Sequence, residues 1–220
     1  MAFDMPAAGY ALWQLYDATG IRPEWALASM NAESGLHTTA INPTTGCQGL
    51  FQWCSAPSGF NTWSASQQIV GGAIPFWRGL VSKFGPIQSG AQLEQGNFYP
   101  ASLKYAHNPN DVVVSSKSDY GAWKDNQTTF DPGNTGYITV QGIGNFVSRQ
   151  LNANRAFFNS ILARTYALRP SETPTDPVWG NVGWSKTKKI VVIGTLAALA
   201  GAAVWYWPEE ERILRRLLHA

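Results

Sequence analysis

Charge is scarce in this 220-residue chain: 14% of its residues are Asp, Glu, Lys or Arg, where a soluble domain carries about a quarter. The formal net charge is +2. Up to Leu168, nine Lys and Arg balance nine Asp and Glu, so the surplus lies in the C-terminal tail. That leaves no strongly basic face and speaks against a nucleic-acid partner. Histidine is nearly missing too. His37, His107 and His219 are scattered, and with two cysteines they make no ligand spacing, so no metal centre is expected. Residues 1–6 carry no basic region, and Asp4 and Asp17 interrupt the first apolar stretch, so the beginning of the chain does not read as a secretory leader.

What the chain does have is apolar and aromatic. Hydrophobic residues make up 45%, with ten Trp. Such rings suit flat polar surfaces such as sugars, but most are expected to fill a core. The two cysteines, Cys47 and Cys54, read either as buried thiols or as a local disulfide, and the even count favours the disulfide. Apolar residues at helical spacing predict a mainly α domain over 1–168. Leu12, Leu15 and Tyr16 mark a first helix that Gly20 stops. Pro23 opens a second, which runs to about Glu33 with Gly35 as its cap. Gln67 and Gln68 open a third, in which Gly71-Gly72 allows another segment to approach closely and Pro75 introduces a kink.

The stretch 28–53 organises the rest. Glu33-Ser34-Gly35 ends the apolar second helix, a loop containing Asn42-Pro43-Thr44-Thr45-Gly46 follows, and Gly46-Cys47-Gln48-Gly49-Leu50-Phe51-Gln52 comes next. One acid beside apolar neighbours at the negative end of a helix is held towards its protonated form, as a general acid near neutral pH requires. This pair of motifs resembles the signature of soluble lytic transglycosylases and their goose-type lysozyme relatives, E-S-G followed by G-x-x-G-L-M-Q, with Phe51 here in place of Met. Gln68-Ile69-Val70-Gly71-Gly72 is similar to that family's N-I-x-x-G-G helix. The third family motif, A-Y-N-A-G, is altered. Gly96-Asn97-Phe98-Tyr99-Pro100 keeps an Asn at the expected distance without the preceding Tyr, and Tyr105-Ala106-His107-Asn108-Pro109 is the other candidate. Spacing favours Asn97, with Tyr99 or Tyr105 as a substitute hydroxyl. The run from Asn97 to Val147 also resembles phage-encoded transglycosylase-like domains, with their N-F-x-P-A segment and D-x-x-x-x-G-x-I-T-V turn.

The segment starting at Asp131 has the cadence of a calcium loop, but Gly133, Thr135 and Gly142 stand where ligands are needed. It reads as a turn into closing helices over 139–168, whose start Gly142 and Gly144 weaken. Residues 169–189, with Pro170, Pro174 and Pro177, read as a linker. Residues 190–207 are an uncharged run ending in Trp205-Tyr206-Trp207. At 1.5 Å per residue the run spans about 27 Å, close to the hydrocarbon thickness of a bilayer, so a single transmembrane helix is expected. Residues 208–220 read as an amphipathic tail.

The resemblance implies a lysozyme-like fold and a lytic transglycosylase acting on the β-1,4 bond between N-acetylmuramic acid and N-acetylglucosamine in peptidoglycan. It implies Glu33 as general acid and then base, no cofactor, and Ser34, Gln52, Asn97, Tyr99 and Tyr105 as substrate-binding residues. Hydrolysis would need a second carboxylate across the bond, and Asp111 or Asp119 is the candidate for it. The combination with an anchor fits a phage particle that penetrates the wall locally, seated in a virion membrane or the host inner membrane and contacting other virion proteins. A non-catalytic, wall-binding virion component is the other reading, and the altered third motif favours it.

Overall fold

The computed structural model describes residues 4–166. The chain divides into two units, Met1–Glu172 and Thr173–Ala220, and the described residues belong to the first. The expected linker 169–189, the span 190–207 and the tail lie outside the described residues. No helix among the described residues is long and apolar enough to cross a membrane.

The described domain is mainly α, as the periodicity predicts. Helix α1 (Met5–Thr19) starts at Asp4, whose carboxylate accepts from the Ala7 N–H, and stops at Gly20 in the left-handed region. Helix α2 (Pro23–Ser34) opens on proline and closes on Gly35, also left-handed, whose N–H reaches the Asn31 carbonyl. After a long loop the chain enters a continuous helical run. It consists of α3 (Ala65–Gln67), a π-helical segment (Gln68–Ala73) and α4 (Ile74–Phe84). The expected kink at Pro75 takes this form: the wider π turn, in which the Ile74 N–H reaches back to the Ile69 carbonyl, immediately precedes the residue that has no N–H to give. Helices α5 (Gly90–Phe98), α6 (Tyr120–Phe130) and α7 (Val140–Tyr166) complete the domain.

Helix α2 is central. It packs against α1, α5 and α7, and all of Ala26, Leu27, Ala28, Ser29 and Met30 are buried. A helix enclosed on several sides shows no single apolar stripe. Its small side chains let the neighbours approach, and Leu12, Leu15, Leu93, Phe158, Ile161 and Leu162 fill the space around it. Each such large apolar side chain contributes roughly 1.5–3 kcal/mol by leaving water.

A small antiparallel sheet, β1 (Val112–Ser115) with β2 (Tyr137–Thr139), was not anticipated from the sequence. Strands of four and three residues are too short to display a period. The connection is held by Asp131. Its Oδ1 accepts from the Thr135 N–H and hydroxyl, and its Oδ2 from the Gly136 N–H and the Trp123 indole. Burial alone pushes the Asp131 carboxyl up, but these hydrogen bonds outweigh it and leave it below the usual range. Both oxygens that a calcium loop would direct at an ion are therefore committed to the turn.

Gly142, expected only to weaken the start of α7, has a positive role. A Cβ there would lie 2.2 Å from the Phe130 carbonyl oxygen, so the end of α6 and the start of α7 meet only if residue 142 is glycine. Gly79, on α4, has nothing within 4 Å of the same position. Gly79→Ala is expected to stabilise the protein by about 0.5–1 kcal/mol, whereas Gly142→Ala is expected to cost about 1–3 kcal/mol through overpacking. Denaturant unfolding of the two variants checks this, and equal effects would contradict the close contact.

Candidate active site

Glu33 lies in the last turn of α2, and the left-handed pair Gly35 and Leu36 turns the chain sharply away from it. The loop that follows is a compact, cross-braced unit. Asn42 Oδ1 accepts from the N–H groups of Thr44 and Thr45, and the Asn42 backbone N–H donates to the Cys47 carbonyl. Gln48 and Trp53 exchange two backbone hydrogen bonds of 3.1 Å each. Cys47 and Cys54 are joined in a disulfide, which closes a short loop and stabilises it by about 2–3 kcal/mol in the chain-entropy account.

The motif glycine Gly49 is left-handed, and a Cβ on it would meet the Phe60 ring at 2.6 Å and Gln68 Oε1 at 2.7 Å. Gln68 is the residue that sequence reasoning missed. It is 1% exposed. Its Oε1 accepts from the Leu50 N–H at 2.8 Å, and its amide NH2 is shared among the carbonyls of Thr38, Phe60 and Trp63. One buried side chain thus satisfies four backbone groups from three parts of the loop. The signal that would have found it is its position directly before Ile69 in the segment likened to N-I-x-x-G-G.

The expected site residues take different places. Asn97, on α5, faces Glu33: its Nδ2 donates to Glu33 Oε1 at 3.3 Å and lies 3.4 Å from the Phe51 carbonyl. Its Oδ1 accepts from the Trp53 indole at 2.8 Å. Asn97 therefore links the acid to the motif loop. The Ser34 hydroxyl reaches the Met30 carbonyl at 2.9 Å and the Leu50 carbonyl at 3.0 Å. It fastens the helix end to the loop and does not contact Glu33 through a hydrogen bond. Gln52 was expected to help position Glu33 and a sugar amide. Instead its amide NH2 donates to the carbonyls of Ala40 and Gly49. That bracing offsets its own left-handed backbone, φ 51°, which costs a side-chain-bearing residue about 1–2 kcal/mol.

The missing tyrosine of the third motif has a packing reason. It would stand at Gly96, where a Cβ would come within 2.7 Å of the buried Trp77 ring. Of the two proposed substitutes, the Tyr105 hydroxyl donates to the Val113 carbonyl at 3.0 Å. Burial and the neighbouring Tyr99 push its pKa up. No hydrogen bond among the described residues joins Tyr99 or Tyr105 to Glu33. Asp111 accepts from the N–H groups of His107 and Asn108, and Asp119 caps α6, so both carboxylates proposed for hydrolysis hold their own turns.

A second carboxyl does meet Glu33, and it comes from elsewhere. Glu94, one turn before Asn97 on α5, is 1% exposed and in contact with the Glu33 carboxyl group. Burial, then the charge of Glu94 and the hydrogen bond to it, push Glu33 up to about 8, while Asn97 works against the shift. A like-charge partner thus acts beside burial, a cause the sequence reading does not anticipate. Glu94 is also raised, first by burial, with Ser29 and Glu33 opposing. Ser29 Oγ and Glu94 Oε2 are buried without a well-formed hydrogen bond, so the opposition from Ser29 is that of a nearby dipole. A depression of about 520 Å³ between α6 and the Asp131 turn, lined by Tyr120, Trp123, Lys124 and Gln127 among others, is bordered by none of these residues.

Among the described residues no group of His, Cys, Asp and Glu is arranged to hold a metal ion. Compared with known protein families, curated proteins and solved structures, the chain matches none.

Two outcomes follow from the site. Gln68→Leu would strand the Leu50 N–H and remove the amide donor from the Thr38, Phe60 and Trp63 carbonyls, of which Phe60 keeps the Trp63 N–H. At about 1–3 kcal/mol for each buried group left unpaired, a loss of about 2 kcal/mol or more is expected in denaturant unfolding; a loss below 1 kcal/mol would refute the bracing role. The second concerns pH. Between the ordinary 4.5 and about 8, folded Glu33 holds a proton that the unfolded chain has lost. Its contribution to stability is complete below 4.5 and disappears as pH rises through about 8. The melting temperature should fall across that window, and Glu33→Gln should make the fall shallower. An unchanged slope would count against a buried acid form.

Proposed function

We propose that the chain is a peptidoglycan-cleaving lytic transglycosylase. The observation that carries this is the half-buried, proton-holding Glu33 at the end of α2, hydrogen-bonded to Asn97 and through it to Trp53 of the motif loop. A carboxylic acid kept protonated at neutral pH can deliver its proton to a leaving oxygen. In this reading Glu33 protonates the glycosidic oxygen as the bond to the muramyl C1 breaks. The resulting carboxylate then takes the proton of the muramyl C6 hydroxyl as that oxygen bonds to C1, giving a 1,6-anhydro product without consuming water.

The position of Glu94 favours this route over hydrolysis. An inverting hydrolase keeps its carboxyl groups roughly 6.5–9.5 Å apart to admit water, and a retaining one about 5–5.5 Å apart, on either side of the bond. Glu94 is sealed from solvent beside Glu33, so it cannot face a sugar from the opposite side of the bond. The uncharged run 190–207 supports a membrane anchor behind the domain. With the phage-like features of the domain, it supports an enzyme seated in a virion or host inner membrane for local wall penetration.

The test is a digest of purified peptidoglycan with the full-length chain in mild detergent, beside Glu33→Gln, with products read by mass spectrometry. Anhydromuropeptides are expected from the native chain, reduced at least a hundredfold in Glu33→Gln. Reducing-end products would make it a hydrolase. No product from a folded native chain would leave the wall-binding, non-catalytic virion component.

A further inference from the structure

Resting on that reading, we propose that Glu94 is a positioning residue for Glu33: the two carboxyl groups share one proton across the contact between α2 and α5, and that proton is the one Glu33 delivers.

Geometry carries the argument. Glu94 is fully buried, three residues before Asn97, so both side chains leave the same face of α5 one turn apart. Asn97 and Glu94 thereby grip the Glu33 carboxyl from one helix, the amide as a hydrogen-bond donor and the carboxyl group as a proton-sharing partner. Glu94 Oε2 has no hydrogen-bond partner among the described residues, and a buried carboxylate oxygen left unpaired is costly. Among the described residues no positive charge contributes to either shift. On α2 there is the Ser29 hydroxyl, and the loop offers the Phe51 carbonyl. Gln150 of α7 accepts from Asn31 on α2. His37 is exposed and lies against Gly35. With no cation to neutralise two carboxylates, the pair retains a proton where a lone exposed acid would not. Delivery of that proton to the leaving oxygen leaves two adjacent carboxylates, and their repulsion makes Glu33 the stronger base for recovering a proton from the C6 hydroxyl. The proton count closes over the cycle.

The test uses the full-length chain with carbon-13-labelled glutamate side chains, titrated by NMR as native, Glu94→Gln and Glu33→Gln, with peptidoglycan cleavage followed over the same pH range. In Glu94→Gln the Glu33 titration is expected to move down by a unit or more, while staying above that of exposed glutamates because burial persists. The alkaline limb of cleavage should move down equally, a loss of about tenfold at pH 8 relative to the native chain. Should Glu94→Gln fail to fold, Glu33→Gln gives the reciprocal reading, since coupling between two sites is mutual: Glu94 should then titrate lower by a comparable amount. Cleavage with Glu33 titrating unchanged in Glu94→Gln, or Glu94 unchanged in Glu33→Gln, overturns the shared proton and leaves the enzyme reading intact. Coupled titration in a native chain that cleaves nothing overturns delivery of that proton, and with it the enzyme reading.

Discussion

Glu33 and Glu94 meet between α2 and α5, and two carboxyl groups brought together out of water are stable there only if a proton is retained between them. Much of the domain can be understood as what holds them in that arrangement. Helix α2 packs against α1, α5 and α7, which fixes its direction, while its last turn, with Glu33, stays half-buried at the edge of the core. Helix α5 presents Glu94 and Asn97 from consecutive turns. The long helix α7 packs along both. Close approach of these helices depends on small side chains at Ala26, Ala28 and Ser29, which is why α2 carries so little apolar bulk for so buried an element.

The second requirement is a fixed wall opposite the acid. The loop from Gly35 to Trp63 has almost no regular secondary structure, yet its backbone groups are satisfied by side chains reaching in. Gln68 enters from the π-helical segment, Asn42 and Gln52 brace the loop from within, and the disulfide closes its tip. Trp53 is thereby held against Phe51 and Phe76, with its indole N–H free to engage Asn97. The two halves of the site, helix-borne acid and loop-borne wall, meet at that one asparagine.

How much of this could be read in the residues differs element by element. The helix ends at Gly20 and Gly35 and the opening Pro23 were legible, because each is a local preference of one backbone position. Asn97 was legible through its spacing from the motif. The small sheet was not, since its pairing joins strands more than twenty residues apart and neither strand is long enough to alternate. That the Gln52 amide NH2 braces the loop was not legible, because its left-handed backbone and its two carbonyl partners exist only in the folded loop. Gln68 passed as one amide among several in a helix.

The order of residues by itself determined where α2 begins and ends, that an acid stands in its last turn, and which loop must face it. These are properties of short stretches, set by capping, backbone freedom and apolar spacing. Only the tertiary structure decided that the acid's partner is another carboxyl. Glu94 lies sixty-one positions from Glu33, just outside the altered third motif that starts at Gly96, and a Glu on a helix that belongs to no motif reads as a solvated charge. Its pKa and its effect on Glu33 arise from burial and proximity, and both come into being only when α5 packs against α2.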